Sequence, residues 1–570
     1  MGAGQRPMLY LHTLRYLRPI QVFWRGWRRL APPAKPKLAP APRQRRPGGA
    51  LAPFPRRRRA MVAADTFRFL NEVHRVEARA DWNHPRRDAL WLYNLHYFDD
   101  LCAEGASERA EWHRSLILRW IEENPIGHGI GWDPYPISLR IVNWIKWGLS
   151  GGELGERAVE SLAVQARYLA RRFEWHLLGN HLFANAKALV SAGCFFDGAE
   201  AQAWLKKSCR ILAAQLDEQV LADGGHLERS TMYHAIVLED VLDLVNLSKV
   251  YADALPAPLV AALRATATRM LHWARTMTHP DGEIAFFNDA ALGIAPTTAE
   301  LERYATALGV AAEIGAPTRL ADLSSSGYVR LQEGPIVVLF DAAPVGPDYL
   351  PGHAHADTLA FELSWAGQRV ICNSGTSRYG TGAERLWQRS TAAHNTVEID
   401  GENSSEVWCG FRVARRAYPL ERQCVQGKTV LRVSCAHDGY MRLPGRPVHR
   451  RTLQVSGDSV TWTDEVAGAG VHRAIARIPL HPDMEAQRTS DSAWRLRTPS
   501  GRELELSVEG PGATLDAEEG RYSPEFGLTV KRTVLVWDVT GTLPISITTR
   551  IVDKHEGAAP TVGSGAAAGK

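Results

Sequence analysis

The spacing of apolar residues changes once along this 570-residue chain, near position 325, and that change requires a helical part followed by a sheet part. Between about 61 and 315 apolar residues recur at i, i+3, i+4 and i+7, as in Ala158–Arg172, Ala201–Leu221, Ala235–Ala252 and Leu259–Met277. Breaks at Asn124-Pro125, Asp133-Pro134-Tyr135-Pro136, Asp223-Gly224-Gly225 and His279-Pro280-Asp281-Gly282 separate them. Antiparallel helices on short or moderate loops predict a toroid or solenoid. Beyond 325 the period is two. About eleven β-branched and aromatic runs, from Pro335–Asp341 to Pro544–Ile551, have no helical pattern between them and predict an antiparallel sandwich. A chain this long exceeds one core. The division read from it is an arm and linker at 1–60, a helical domain at 61–320, a sheet domain at 325–555 and a Gly/Ala-rich tail at 556–570.

The first 30 residues place Arg6, Arg15, Arg18, Arg25, Arg28 and Arg29 among Leu9, Tyr10, Leu11, Phe23 and Trp24. This pattern fits a basic amphipathic helix in peripheral contact with an anionic membrane, or equally an arm that is solvated or docked on protein. No charge-free apolar core followed by a small-residue cleavage site is present, which argues against a cleavable signal and for a cytoplasmic or membrane-peripheral location. No run of 18 apolar residues occurs, so no membrane span is expected. Residues 31–60 hold eight prolines and the run Arg56–Arg59, read as an extended linker with a solvated charge block, not a nucleic-acid site. Seven scattered cysteines without a CxxC pair predict reduced thiols. With 67 Lys and Arg, the chain suits an anionic substrate better than a cationic one.

Three segments could carry chemistry. In Gly179-Asn180-His181-Leu182-Phe183-Ala184-Asn185, Asn180 and His181 fall at a helix start, with Asn185 one turn on; a cap and a buried histidine would look the same. In Glu228-Arg229-Ser230-Thr231-Met232-Tyr233, a helix from Glu228 would set Arg229 one turn before Tyr233, favouring the phenolate; the alternative is an arginine packed on a ring. In Gly352-His353-Ala354-His355-Ala356-Asp357, strand alternation would send both histidines and Asp357 to one face. His394 follows 39 positions after His355, giving ligand types that suit zinc, with Asn373 as a weak oxygen donor. Glu362 and Arg389 read equally as ion-paired structural residues or as sugar contacts.

These segments, in the order GNHLFANAKAL, GGHLERSTMYH, GHAHADTLAFEL, CNSGTSRYG and QRSTAAHNTVEIDG, resemble the heparinase II/III-like polysaccharide lyases and related alginate lyases over residues 85 to 555. The resemblance implies a multidomain α+β chain: an N-terminal incomplete (α/α) toroid, then a C-terminal antiparallel β-sandwich, with an anionic polysaccharide in the cleft between them. It implies β-elimination at a 4-linked uronic acid, with Asn180 on the carboxylate, His181 assisting or acting as base, Tyr233 as base or acid, and His353 in charge neutralisation or proton transfer. Glu228, Arg229 and Arg389 would contact substrate. A structural zinc would use His355, Asn373 and His394, although the family has Asp where this chain has Asn373, which removes a charge from the site. Asp357 is the residue available to compensate, if it converges with His394. The missing signal and basic arm suggest processing of a capsular or exopolysaccharide. The alternatives are a glycan-binding or assembly protein on the same fold, and a glycoside hydrolase drawing carboxylates from Asp133, Glu228 and Asp289.

Overall fold

The computed structural model describes residues 5–31, 36, 38–310, 315 and 317–554; the Gly/Ala-rich tail lies outside them. Helices α1 (Gln5–Leu14) and α2 (Pro19–Leu30) come first, then three short antiparallel strands, β1 (Met61–Ala63), β2 (Thr66–Phe69) and β3 (Glu72–Arg75). The helical domain therefore begins with strands, which its periodicity did not announce. Helices α3 (Ala89–Tyr97), α4 (Ala110–Glu123), α5 (Pro134–Leu149), α6 (Glu156–Leu169), α7 (Gly179–Phe195), α8 (Ala199–Gln219), α9 (Thr231–Val250), α10 (Ala257–Thr276) and α11 (Thr298–Ala307) follow. Helices α3 and α4 pack on α5 and α6 respectively, α8 on α10, and α7 lies against α5, α6, α8 and α9. One apolar core runs through them from Phe54 to Val310.

From residue 38 onward the proline-rich segment is extended but not free. It runs along the helices: Gly48 N donates to Val250 O at 2.9 Å, Ala52 N to Asn246 Oδ1 at 3.0 Å, and Arg57 pairs with Glu239 at 2.6 Å. With so many prolines the segment has few N–H groups to bond internally, so helix backbone and side chains satisfy it.

After α11 the named strands pair antiparallel throughout the described residues. A five-stranded sheet contains Ile336–Asp341 and Phe361–Trp365 near its middle; an eight-stranded sheet begins at Pro419–Gln426; a four-stranded sheet holds Val471–Pro479 and Val397–Ile399. All three feed one core. Strand Ile336–Asp341 is apolar on both faces for a stated reason: Val338 and Phe340 enter that core, while Val337 and Leu339 pack on Trp273 and Phe287 at the helical side. A second seam joins Met232, Tyr233 and Phe286 to Cys372, Tyr522 and Phe526. The catalytic candidates sit along this junction. None of the seven cysteines is paired. No helix among the described residues is long and apolar enough to cross a membrane.

Candidate active site

A cleft of about 1310 Å³ lies between the halves, lined by Asn180, His181, Tyr233 and His353 together with Tyr135, Glu228 and Tyr379. Asn180 and His181 occupy the first turn of α7, where Leu178 (φ 68°) and Gly179 (φ 55°) turn the chain into the helix. A Cβ on Gly179 would stand 2.5 Å from Glu228 Oε1, so glycine is required for that carboxylate to approach. Asn180 is not a cap: its backbone N and its Nδ2 both donate to Glu228 at 3.0 Å.

His181 turns Nδ1 to Glu174 Oε2 at 3.1 Å and lays its ring against Tyr135, with centroids 4.5 Å apart. Asn185 fixes that carboxylate by donating to it at 3.2 Å while accepting from the Glu174 backbone N at 2.9 Å. Burial opposes charge on His181, but the Glu174 carboxylate overrides it and raises the imidazole pKa above its ordinary value. This arrangement leaves Nε2 as the ring's bare nitrogen in the neutral form.

Tyr233 lies in the first turn of α9, set by Ser230, whose Oγ accepts from Tyr233 N at 3.1 Å. The helix begins at Thr231, not Glu228. Arg229, at φ 55°, turns away and donates to Ser326 O at 2.8 Å, so it neither reaches the phenol nor lines the cleft. The expected phenolate is corrected accordingly. Burial, reinforced by Tyr379 with its hydroxyl 2.9 Å away, pushes the Tyr233 phenol well above its ordinary pKa. The Tyr233 ring stacks on His353 at 3.9 Å between centroids.

The His353 segment is a loop running into Phe361–Trp365, not a strand. Its histidines are nevertheless ordered by one carboxylate. Asp289 Oδ2 meets His353 Nδ1 at 2.8 Å and Asp289 Oδ1 meets His355 Nε2 at 2.8 Å, with Arg385 clamping both oxygens. Burial disfavours this carboxylate, but Arg385 and the histidines hold it well below the usual carboxylate range. His353 Nε2 comes within 3.5 Å of Glu228 Oε2. Glu228 thus lines the cleft while bound to Asn180 and His353. Arg389 is fully buried, donates to Ala354 O at 2.9 Å and to the carbonyl of Cys409, and is not among the residues lining the cleft, so it braces the loop. Glu362 is also buried, on His279 at 2.7 Å.

Behind His353, the ligand-type atoms of His355, Asp357 and His394 lie within 4.8 Å of one another. Asp357 thus converges with His394 and supplies the acidic member, which Asn373 cannot. His355 Nδ1 and His394 Nε2 are 3.1 Å apart, and Asp289 on His355 Nε2 leaves Nδ1 as the lone-pair nitrogen. Burial pushes the His394 imidazole down to about 4, which keeps it neutral. Two neutral imidazoles and a carboxylate form a set that suits zinc. Asn373 is buried one residue from this set in space, accepting from Asn395 N at 3.4 Å, with its Nδ2 unpartnered.

Glu174, Asp289, Tyr379 and Tyr135 are partners that the sequence did not point to, although Tyr379 is the second-last residue of the CNSGTSRYG motif and Asp289 had a reading only as a hydrolase acid. Of the hydrolase carboxylates, Asp289 and Glu228 are buried and saturated, and Asp133 accepts from Tyr93 OH at 2.9 Å. The cleft is basic. Arg25, Arg29, Arg59, Arg68 and Arg412 line it and form no ion pair among the described residues, whereas Arg416 pairs with Asp348 at 2.8 Å. Arg25 is depressed by burial and then by Arg412 and Arg29 beside it.

Residues 315–556 match the family described as heparinase II/III-like, C-terminal, and residues 156–310 match heparinase II/III N-terminus. FtsZ-localized protein C of Caulobacter vibrioides is 27% identical over 447 residues, 73% of each chain. A heparin-sulfate lyase of Bacteroides stercoris is 25% identical over 382 residues, 62% of this chain; the chain spans 54% of that lyase. Among solved structures, heparinase III superposes with a TM-score of 0.69 at 19% identity, covering 85% of this chain and 80% of that one. The chondroitin AC lyase of Streptomyces coelicolor A3 gives 0.51 at 11% identity, covering 82% and 75%. At these identities the structural likeness speaks for a shared fold of helices plus antiparallel sheets.

Proposed function

Because the chain belongs to the heparinase II/III-like family, we propose that it is a polysaccharide lyase that cleaves a uronate-containing anionic glycan by β-elimination, its helices forming an incomplete (α/α) toroid ahead of a β-sandwich. The observation that carries this is that one arginine-lined cleft holds both His181, backed by Glu174, and Tyr233, whose phenol burial holds well above its ordinary pKa.

In this reading His181 Nε2 takes the C5 proton, and the C5–H electron pair forms the C4–C5 double bond as the C4–O4 bond breaks. Tyr233 gives its proton to the departing O4, with Tyr379 hydrogen-bonded to the phenol. A base with a carboxylate behind it and an acid with a raised pKa divide the two transfers between them. His353 and Asn180, gathered around Glu228, present donors for the uronate carboxylate, and the unpaired arginines hold the acidic groups of neighbouring sugars. Zinc, if held by His355, Asp357 and His394, would stiffen the loop that carries His353. Heparan sulfate, chondroitin sulfate and an acidic capsular or exopolysaccharide all fit this chemistry.

Incubation with each polymer, together with alginate, while following the ultraviolet absorbance of the new double bond tests the reading. Tyr233→Phe is expected to slow elimination by about 10²–10⁴-fold with little loss of stability. If no unsaturated ends form on any polymer while glycan still binds, a second reading holds: a glycan-binding or assembly protein. That reading is favoured by the similarity to FtsZ-localized protein C, whose name states a location and no reaction.

A further inference from the structure

Helix α2 is docked inside out. Its polar side, Gln21, Arg25 and Arg28, faces the protein: Gln21 Nε2 donates to Tyr349 O at 3.1 Å, Arg25 Nε to His176 O at 3.4 Å, and Arg28 meets the His176 ring at 2.7 Å. At 100° per residue the opposite side holds Phe23, Trp27 and Leu30, with Ile20 at its edge. These side chains are exposed, Phe23 by 60%, Trp27 by 51% and Leu30 by 85%. Helix α1 also exposes apolar side chains. Leu9 is buried and Thr13 Oγ1 donates to Val413 O at 3.3 Å, while Met8 and Leu11 point outward. A soluble surface helix ordinarily buries its apolar stripe, whereas these two consecutive helices both leave large apolar side chains exposed.

Charge identifies the occupant. The first 60 residues hold 15 Lys and Arg and no Asp or Glu, and since the whole chain is +5, residues 61–570 carry a net −10. Among the described residues of the pair, only Arg18 is ion-paired, with Glu218. A second copy seated face to face would set two such basic surfaces against each other. An anionic bilayer attracts the arm and repels the body, which fixes the orientation with the patch inward.

We propose that the outer face of α1 and α2 docks on an anionic lipid surface, with Phe23, Trp27, Leu30, Met8 and Leu11 at the depth of the acyl boundary and the exposed Arg6 and Arg15 among the headgroups. Because the same helices line the cleft through Tyr10, Leu17, Arg25 and Arg29, the cleft then lies about one helix diameter from the membrane.

Co-sedimentation of the full chain with phosphatidylcholine vesicles, with and without phosphatidylglycerol, tests this. Binding should require the anionic lipid, weaken with added salt, and fall about tenfold or more in a Phe23→Glu/Trp27→Glu variant that retains the wild-type melting temperature. Two results would overturn it: no sedimentation with anionic vesicles, or equal sedimentation of the variant. A concentration-dependent dimer in lipid-free solution that the same substitutions abolish would overturn it too, because a second copy would then cover the face.

Discussion

In the proposed reaction His181 and Tyr233 take opposite proton duties because of what stands behind each. Glu174 raises the His181 pKa, so the neutral, base-competent ring is gained only above the ordinary imidazole range; the rate should fall as pH drops through that raised value. Replacing Glu174 by Gln removes the charge that raises it, and the acid limb of kcat/KM should move to lower pH with a smaller plateau. If His181 is not the base, a pH–rate profile of Glu174→Gln will keep the wild-type limb. The residues that face the cleft were legible because His181, Tyr233 and His353 stand in short motifs. Their partners were not, since Asp289 lies 64 positions before His353 and meets it only through the fold. Arg229 misled because spacing along a helix says nothing at a residue whose φ is 55°.

At the scale of elements, the site rests on two helix starts and one loop. Ser230→Ala removes the cap of α9 and should lower stability by about 1 kcal/mol in thermal unfolding, with the Tyr233 rate disturbed along with it. Gly179→Ala should do more harm to activity, since the added methyl meets Glu228 and Leu350 in a backbone region that already disfavours alanine by about 1 kcal/mol. The loop gives a metal test independent of turnover. Zinc at about 100 times its Kd should stabilise the wild type by about 2.7 kcal/mol, read as a raised Tm, and Asp357→Asn should lose most of that shift. Helices and central strands were legible from period alone. Glu485–Ser490 and Asp516–Tyr522 were not, because they are edge strands whose mostly exposed, charged residues carry no apolar alternation.

Across the whole molecule, charge and topology combine. The unpaired cleft arginines predict a KM that rises steeply with ionic strength, and Arg25→Gln/Arg29→Gln should raise KM more than it lowers kcat; initial rates across a salt series check both. The switch of period near 325 made the two halves legible. Their junction was not, because it is assembled from Trp273 and Phe287 on one side and Val337 and Leu339 on the other. The arm is anchored to both halves, at His176 in the helical half and at Tyr349 and Val413 in the sheet half. On the proposed lyase reading, an arm fixed to both halves beside the cleft predicts end-on entry of a polymer, so small oligosaccharides should accumulate from the first turnovers while the remaining chains stay long.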